Sequence, residues 1–147
     1  MIELSSFQLE SAPSFKSYIS ILLNISKDHL DRYNTFKEYI NEKKKIKNTN
    51  KSSYNIISID DKNCLNIFNS FNFDNTIPIS TIKNLEKGIY ILNNNIIDNF
   101  FYRNKIIPIK KISHSLYGNF NLQNIVATYA VAKILNIKKN FFLRKIE

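Results

Sequence analysis

The chain has 147 residues, of which 44% are hydrophobic, and a formal net charge of +9; this is typical of one globular domain with its own core. Its longest apolar stretch, residues 19–25, is too short to span a bilayer, and its lone cysteine, Cys64, excludes an internal disulfide and a cysteine-based zinc site. The charge would suit a nucleic acid, but lysine is enriched together with isoleucine and asparagine, which indicates compositional drift rather than one basic face.

These properties predict where the protein resides and what it does not bind. Residues 1–5 contain no basic region, hydrophobic region or cleavage site of a secretory signal, so we expect a cytoplasmic protein without membrane insertion. We also expect no specific nucleic-acid partner. Cys64 is predicted to be a small core or half-buried residue.

The first half of the chain alternates between predicted strands and helices. In chain order these are a strand that carries Glu3, a strand at residues 19–25, a helix at 36–48, a strand at 54–59 and a helix at 63–71. The longer helix begins with Thr35 and Glu38, which have the spacing of a capping box. Such alternation favours an α/β fold with a mostly parallel sheet and crossover helices.

The second half begins with short β-rich runs. Between residues 77 and 112 they are interrupted at 87–88, 93–95 and 103–105 by glycine, asparagine and basic residues, which favours a small antiparallel meander. Residues 121–135 then carry apolar side chains at helical spacing, which predicts an amphipathic helix. A further helix is predicted at residues 141–146.

Lys43 is the lysine that the helix periodicity distinguishes from its neighbours. In the predicted helix it shares a face with Phe36 and Tyr39, whereas Lys44 and Lys45 are rotated away from that face. A lysine taken out of water either pairs with an anion or gives up its proton. The alternative is a stem that passes along Tyr39 and leaves the amine in solvent.

A second group of candidate residues follows the predicted buried strand. His29 lies between Asp28 and Asp31 at the carboxyl end of that strand, where open α/β sheets bind their ligands. Glu3 is expected at the corresponding end of the preceding strand. Imidazole and carboxylate groups that converge there with Lys43 would suit a divalent metal ion. Alternatively, Asp28 caps a short turn and His29 is a surface residue.

Three motifs, in this order, resemble the Mur ligase family. The segment E-L-S-S-F-Q-L-E at residues 3–10 is similar to the signature of the family branch that adds D-glutamate. The segment L-N-I-S-K-D-H-L-D-R at residues 23–32 resembles a second family motif, with Lys27 in place of proline. Lys43 falls at the family's interval after the histidine, and a weaker similarity extends through Y-G-N-F-N-L-Q-N at residues 117–124.

The resemblance implies that residues 1–147 are part of the central, ATP-binding domain of such a ligase, with a fold like that of P-loop NTPases. It implies that Glu3 binds a first magnesium ion at the ATP phosphates and that His29 binds a second one. Lys43 would react with CO2 to give a carbamate, which is an anionic ligand for the second ion. Together these residues would form the catalytic metal site.

The resemblance also implies contacts to the substrates. Asn124 would read the adenine edge, with Asn121 beside it on the nucleotide, and Ser5 and Gln8 would lie near UDP-N-acetylmuramoyl-L-alanine. The reaction would be ATP-driven amide formation with D-glutamate through an acyl-phosphate, as one step of peptidoglycan synthesis.

Several parts of the family pattern are missing from this chain. The only glycines, Gly88 and Gly118, do not begin a G-x-x-x-x-G-K-[ST] phosphate loop. The flanking UDP-binding domain and the carboxy-terminal domain, which carries the family's H-R-F-E motif, are also absent. Phe120 replaces the histidine that usually precedes Asn121. We therefore expect a fragment that is inactive alone and needs the missing ligase segments as partners.

Three interpretations remain open. The chain is a truncated or split ligase, a relic or non-catalytic binding module, or a basic nucleic-acid-binding protein. Intact Glu3, His29 and Lys43 favour the first, because strong drift should have erased unused residues. A folylpolyglutamate synthetase, which shares the architecture, is disfavoured by S-S-F-Q at residues 5–8.

Overall fold

A computed structural model gives the fold and describes residues 1–27, 32–47, 49–70, 74–109, 119–138 and 142. The elements in chain order are α1 Ser6–Ser11, β1 Ile19–Leu22, α2 Phe36–Lys44, β2 Tyr54–Ser58, α3 Lys62–Asn69, β3 Thr76–Ser80, β4 Ile89–Leu92, β5 Asn95–Asp98, β6 Lys105–Pro108 and α4 Asn119–Ile134. The six strands form one sheet in the order β1-β2-β3-β4-β5-β6. The predicted α/β class, with a mainly parallel sheet and an antiparallel part, is confirmed.

Strands β1, β2 and β3 are parallel neighbours whose carboxyl ends lie at the same edge of the sheet. Leu22 is level with Ile57, and Ser58 is level with Ile79. All five residues of β3 are buried, as expected for a parallel strand that is covered on both faces. This edge is where the polar residues that follow β2 and β3 are brought together.

The antiparallel meander begins later than the sequence indicated. Residues 77–80 belong to β3, which pairs in parallel with both β2 and β4, so only β4, β5 and β6 form the meander. β4 pairs with β3 only at Ile79↔Ile89 and Ser80↔Tyr90 and then continues past the end of β3. The short connection 81–88 can therefore join parallel strands, because the chain has to return only to the level of Ile79.

Asparagine and glycine provide the turns that shape the meander. Asn93 and Asn94 have φ of 48° and 58° between β4 and β5, which is the backbone of a two-residue type I′ hairpin turn. At Gly88 a Cβ atom would lie 2.7 Å from the Pro78 carbonyl oxygen, so only glycine allows this close approach to β3. The predicted interruptions at 87–88 and 93–95 thus coincide with real changes of direction.

The sheet separates two apolar clusters. On one face, isoleucines such as Ile56, Ile77 and Ile79 pack with Val126 and Tyr129 of α4. The other face of the sheet is covered by α2 and α3. The buried apolar residues of this second cluster are Leu22, Ile25, Tyr39, Ile57, Cys64 and Ile67. Consecutive residues of β2 point to opposite faces because strand side chains alternate. Cys64 is a free, fully buried thiol.

The element boundaries differ from the prediction mainly at their ends. The predicted strand 19–25 ends at Leu22, and the predicted helix 36–48 ends at Lys44. The prediction of a strand around Glu3 is wrong: residues 1–5 form no strand, and Ser5 is the N-cap of α1, so the chain enters a helix directly after Glu3 and Leu4. Of the predicted helix 141–146, only Phe142 lies in the described part of the chain. Among described residues, no helix has the length and apolarity needed to cross a membrane.

Candidate functional site

The first motif begins with a capped helix. Ser5 Oγ accepts a hydrogen bond from the Gln8 N–H at 3.2 Å, and Gln8 Oε1 accepts one from the Ser5 N–H at 2.8 Å. This reciprocal pair is a capping box, and it holds the chain directly after Glu3, whose side chain is exposed. The S-x-x-Q spacing could have predicted the cap, but sequence reasoning considered Ser5 and Gln8 only as substrate contacts.

Lys43 reaches the same motif from α2. Its half-buried side chain places Nζ 3.4 Å from the Leu4 carbonyl oxygen and 6.0 Å from the centre of the Tyr39 ring. Lys43 is thus directed toward the first motif but is only half-buried, and its amine lies beside the main chain of the residue that follows Glu3. This contact, across 39 residues of sequence, brings two of the three motifs together.

The neighbouring lysines are less different from Lys43 than the helix periodicity predicted. Lys44 does not share the contact of Lys43 with Leu4, but it is also half-buried, because it lines a small cavity with Ser20 and Ile57. The reason is that α2 is contacted on two sides, by α1 and by the sheet. Lys45 is exposed as predicted, and its Nζ lies 2.6 Å from Glu42 Oε2.

An aromatic cluster connects the second motif to the first. The Arg32 guanidinium lies 4.2 Å from the centre of the Phe7 ring, Phe7 stacks on Tyr33 at 6.0 Å, and Tyr33 contacts Tyr39 at 5.6 Å. The chain leaving the second motif is therefore packed on α1 and α2, next to Lys43. His29, Asp28 and Asp31 themselves lie outside the described residues.

Glu3 and Lys43 are the predicted magnesium ligands that lie among the described residues. Magnesium prefers hard oxygen ligands, and Glu3 supplies one exposed carboxylate. Within the described ranges, no group of three histidine, cysteine, aspartate or glutamate side chains is close enough to hold a metal ion. Glu3 thus fits as one ligand, and Lys43 fits as another only if its amine is converted into an anionic oxygen donor.

The predicted nucleotide residues lie in the first two turns of α4. Asn121 is half-buried and Asn124 is exposed, while the Phe120 side chain is 74% exposed. The helix packs on β2, β3 and β4, so its start lies over the sheet and not over α1 and α2. In the described part of the chain, the structure thus presents two groups of candidate residues in different layers.

A network of hydrogen bonds that sequence reasoning missed holds the start of α4. Gln123 Nε2 lies 3.3 Å from Ser58 Oγ and 3.4 Å from Asp60 Oδ2, and Asp60 also accepts from Thr81 N at 2.7 Å and from Ser80 Oγ at 2.5 Å. We call Ser58, Asp60, Ser80, Thr81 and Gln123 the Asp60 network. Its signal in the sequence is the acidic pair of Asp60 and Asp61 that follows β2.

A second polar contact holds the middle of α4. Tyr129 Oη donates to Asp98 Oδ2 at 2.8 Å, and Asp98 Oδ1 accepts from the Phe100 and Phe101 N–H groups at 3.0 and 2.9 Å. Asp98 is fully buried at the end of β5, and these three donors replace its water.

A cavity of about 430 Å³ lies between Leu85, Tyr90 and Arg103 and includes none of the predicted site residues.

The fold and the site together define a class of protein. It is an α/β domain with a mainly parallel sheet and with polar groups gathered where parallel strands end, which is the ligand-binding edge of such sheets. A family model described as the Mur ligase middle domain matches residues 1–132. The chain belongs to the Mur ligase family, and the resemblance inferred from its three motifs is confirmed.

Curated relatives narrow the comparison to one branch of the family. Those of Rickettsia bellii, Rickettsia prowazekii and Phenylobacterium zucineum, each named UDP-N-acetylmuramoylalanine--D-glutamate ligase, are 46%, 41% and 34% identical to this chain over alignments of 143, 151 and 142 positions. The alignments cover 94%, 99% and 93% of this chain but only 31%, 33% and 30% of the relatives. The chain thus spans about a third of the length of these ligases.

Proposed function

We propose that this chain is the central segment of an ATP-dependent ligase that adds D-glutamate to UDP-N-acetylmuramoyl-L-alanine. The names of the relatives support this reaction. The observation that supports the proposal most directly is the 3.4 Å distance from Lys43 Nζ to the Leu4 carbonyl oxygen, because Lys43 is the one lysine with a proposed chemical role and Leu4 is the residue that follows Glu3. A relic under the drift seen in the composition would have no reason to keep this pair.

Glu3, His29 and Lys43 are proposed as the metal-binding residues for two magnesium ions. The ions would offset the negative charge on the oxygens that are transferred. Lys43 would contribute as a carbamate, formed when its neutral amine attacks the carbon of CO2 and loses one proton. Lys43 is half-buried next to a main-chain carbonyl and forms no salt bridge with the described residues. This supports the role, because none of the described contacts is an ion pair that would have to be broken.

The remaining residues would position the organic substrates. Asn121 and Asn124 are proposed to contact ATP, with Asn124 on the adenine edge. Ser5 and Gln8 use one acceptor each in the capping box, which leaves the Ser5 hydroxyl hydrogen and the Gln8 Nε2 hydrogens as donors toward the UDP-linked substrate. These contacts would align the alanyl carboxylate with the γ-phosphate, which becomes an acyl-phosphate before the D-glutamate amine displaces phosphate.

The partners follow from what this chain does not supply. No G-x-x-x-x-G-K-[ST] loop occurs in the sequence, so the phosphate-binding loop has to come from another ligase segment, as do the UDP-binding and carboxy-terminal domains. We propose a cytoplasmic setting, because the substrates are soluble nucleotides and an amino acid.

The test is reconstitution. We expect the purified chain alone to form no UDP-N-acetylmuramoyl-L-alanyl-D-glutamate from ATP and D-glutamate, and we expect product when the upstream segment with a phosphate loop and the downstream domain are supplied. Product can be measured by mass spectrometry and phosphate release. A fully assembled protein that folds, binds ATP and forms no product would support the alternative of a non-catalytic relic. Turnover by the isolated chain would contradict the need for partner segments.

A further inference from the structure

Gln123 is a polar side chain on a face of α4 that is otherwise apolar. It is 8% exposed and precedes Ile125 and Val126, which are buried in the cluster between α4 and the sheet. By contrast, Asn124, the next residue, is exposed. A buried amide is unfavourable unless its hydrogen bonds are replaced, so the partners of Gln123 determine how the start of α4 sits on the sheet.

The amide of Gln123 is directed at the end of β2. Nε2 lies 3.3 Å from Ser58 Oγ and 3.4 Å from Asp60 Oδ2. A carboxylate only accepts hydrogen bonds, which requires that the nitrogen, not the oxygen, of the amide faces Asp60. Gln123 Oε1 is buried and has no partner among the described residues, so the amide acts through its donor side.

Asp60 is a fixed target for this donor. Its Oδ1 accepts from Ser80 Oγ at 2.5 Å, and its Oδ2 accepts from the Thr81 N–H and Thr81 Oγ1 at 2.7 and 2.8 Å. Ser80 Oγ in turn accepts from the Lys83 N–H at 2.8 Å. The carboxylate is therefore tied to the end of β3, and Gln123 joins α4 to two strand ends at once.

The position of Gln123 in the helix gives this contact a consequence for the nucleotide residues. Asn121 and Asn124 are three residues apart and share one side of α4. Gln123 lies between them in the sequence, and its side chain faces the sheet. Rotation of the first turn about the helix axis would move both asparagines together. We propose that Gln123 is a positioning residue that fixes this rotation through Ser58 and Asp60 and so directs Asn121 and Asn124 toward the nucleotide; this rests on the proposed function.

Tyr129 offers a matched control on the same helix. It makes the other buried polar contact described for α4, with Asp98 at 2.8 Å, and lies six residues further along, about 9 Å at the helical rise. Gln123→Met keeps the volume and removes the donor, and Tyr129→Phe does the same at the second contact. Both variants weaken the packing of α4, but only Gln123→Met releases the first turn.

The first experiment uses the chain alone and does not depend on ligase activity. Hydrogen exchange is measured for the amides of residues 123–126, which bond to the carbonyls of the first turn. We expect Gln123→Met to raise exchange there about tenfold and to leave residues 131–134 nearly unchanged, whereas Tyr129→Phe should not produce this pattern. Unchanged exchange at residues 123–126 in folded Gln123→Met would overturn the proposal.

The second experiment uses the assembled ligase. We expect Gln123→Met to raise KM for ATP about tenfold with kcat nearly unchanged, and to reduce the preference for ATP over purine riboside triphosphate, which lacks the exocyclic amine. Tyr129→Phe should keep that preference. A difference in preference between the two variants would contradict a purely structural role for Gln123, and equal preferences would support such a role and overturn the proposal. If the assembled wild type makes no product, the proposed function fails, while the exchange experiment still decides the role of Gln123.

Discussion

Two regions carry the candidate residues, the corner between α1 and α2 and the start of α4. They differ in whether the candidate residue itself makes the contact that positions it. At the first, Lys43 belongs to the recognisable motifs and contacts a main-chain carbonyl at the surface, at 3.4 Å. At the second, the proposed nucleotide residues Asn121 and Asn124 are partly or fully exposed, and buried neighbours, Gln123 and Tyr129, make the connections to the sheet. The motifs therefore identify candidate reactive and binding groups, whereas the positioning roles of Gln123 and Tyr129 become visible only from their contacts to the sheet.

The largest effect is expected from Lys43. In the assembled ligase, Lys43→Ala and Lys43→Arg should lower kcat about a hundredfold to a thousandfold, because neither side chain can become an anionic oxygen ligand where charge develops. Folding should be little affected, since the single described hydrogen bond of Lys43 is to a partly exposed carbonyl. Product formation and the thermal midpoint of each variant are the measurements.

Lys45→Ala, at the C-cap of α2, is the matched control. Its ammonium is exposed and pairs with Glu42, and exposed pairs of this kind contribute little. We expect near wild-type turnover. A comparable loss of activity in Lys45→Ala, or full activity in Lys43→Arg, would show that activity depends on positive charge at this end of α2 and does not depend on a carbamate at Lys43.

The next largest effect is expected at Asp98, the buried carboxylate that holds the middle of α4. Asp98→Ala should lower the free energy of unfolding by about 3–5 kcal/mol, because it leaves the Tyr129 hydroxyl and two backbone donors without a partner in the interior. Tyr129→Phe removes one donor and leaves Asp98 with the Phe100 and Phe101 N–H groups, so it should cost only about 1–2 kcal/mol. Urea unfolding of the chain measures both. Equal losses would mean that the Phe100 and Phe101 N–H groups do not depend on the carboxylate.

A smaller effect appears at alkaline pH. Burial raises the pKa of the Cys64 thiol and of the Tyr129 phenol, assisted by Asp61 and by the hydrogen bond to Asp98, respectively. Both groups stay protonated in the fold while the unfolded chain ionises, so their contribution is complete below the unfolded pKa values and declines as pH rises. Each should reduce the free energy of unfolding by about 1.4 kcal/mol per pH unit, beginning near 8.5 for cysteine and near 10 for tyrosine.

Cys64→Ala and Tyr129→Phe separate the two contributions. Each variant should be less stable than wild type at pH 7, but its stability should fall less steeply over the range in which the replaced group ionises. The measurement is urea unfolding at a series of pH values. A decline above pH 8.5 that persists unchanged in Cys64→Ala would assign it to another group.

Sequence reasoning could predict the elements with strong patterns but not their pairing. The α2 helix was found from Thr35 and the spacing of Tyr39 and Lys43, since capping and helical periodicity are local properties. The parallel pairing of β3 with β4 was missed, because apolar β-rich residues look the same in either direction and the offset of β4 is a tertiary feature. Gln123 was missed for the same reason: its role depends on Asp60, which is 63 residues away.

The smallest effect tests the helix caps and links them to the proposed substrate. Ser5 Oγ and Thr35 Oγ1 each accept from a backbone N–H at 3.2 Å, so Ser5→Ala and Thr35→Ala should each cost about 1 kcal/mol of stability. In the assembled ligase, however, only Ser5→Ala should raise KM for UDP-N-acetylmuramoyl-L-alanine, because Ser5 alone has a hydroxyl proposed to face that substrate. Steady-state kinetics at saturating ATP and D-glutamate measures this difference. If both variants change KM equally, Ser5 acts only as the cap of α1, and the corner between α1 and α2 contacts the substrate through other groups.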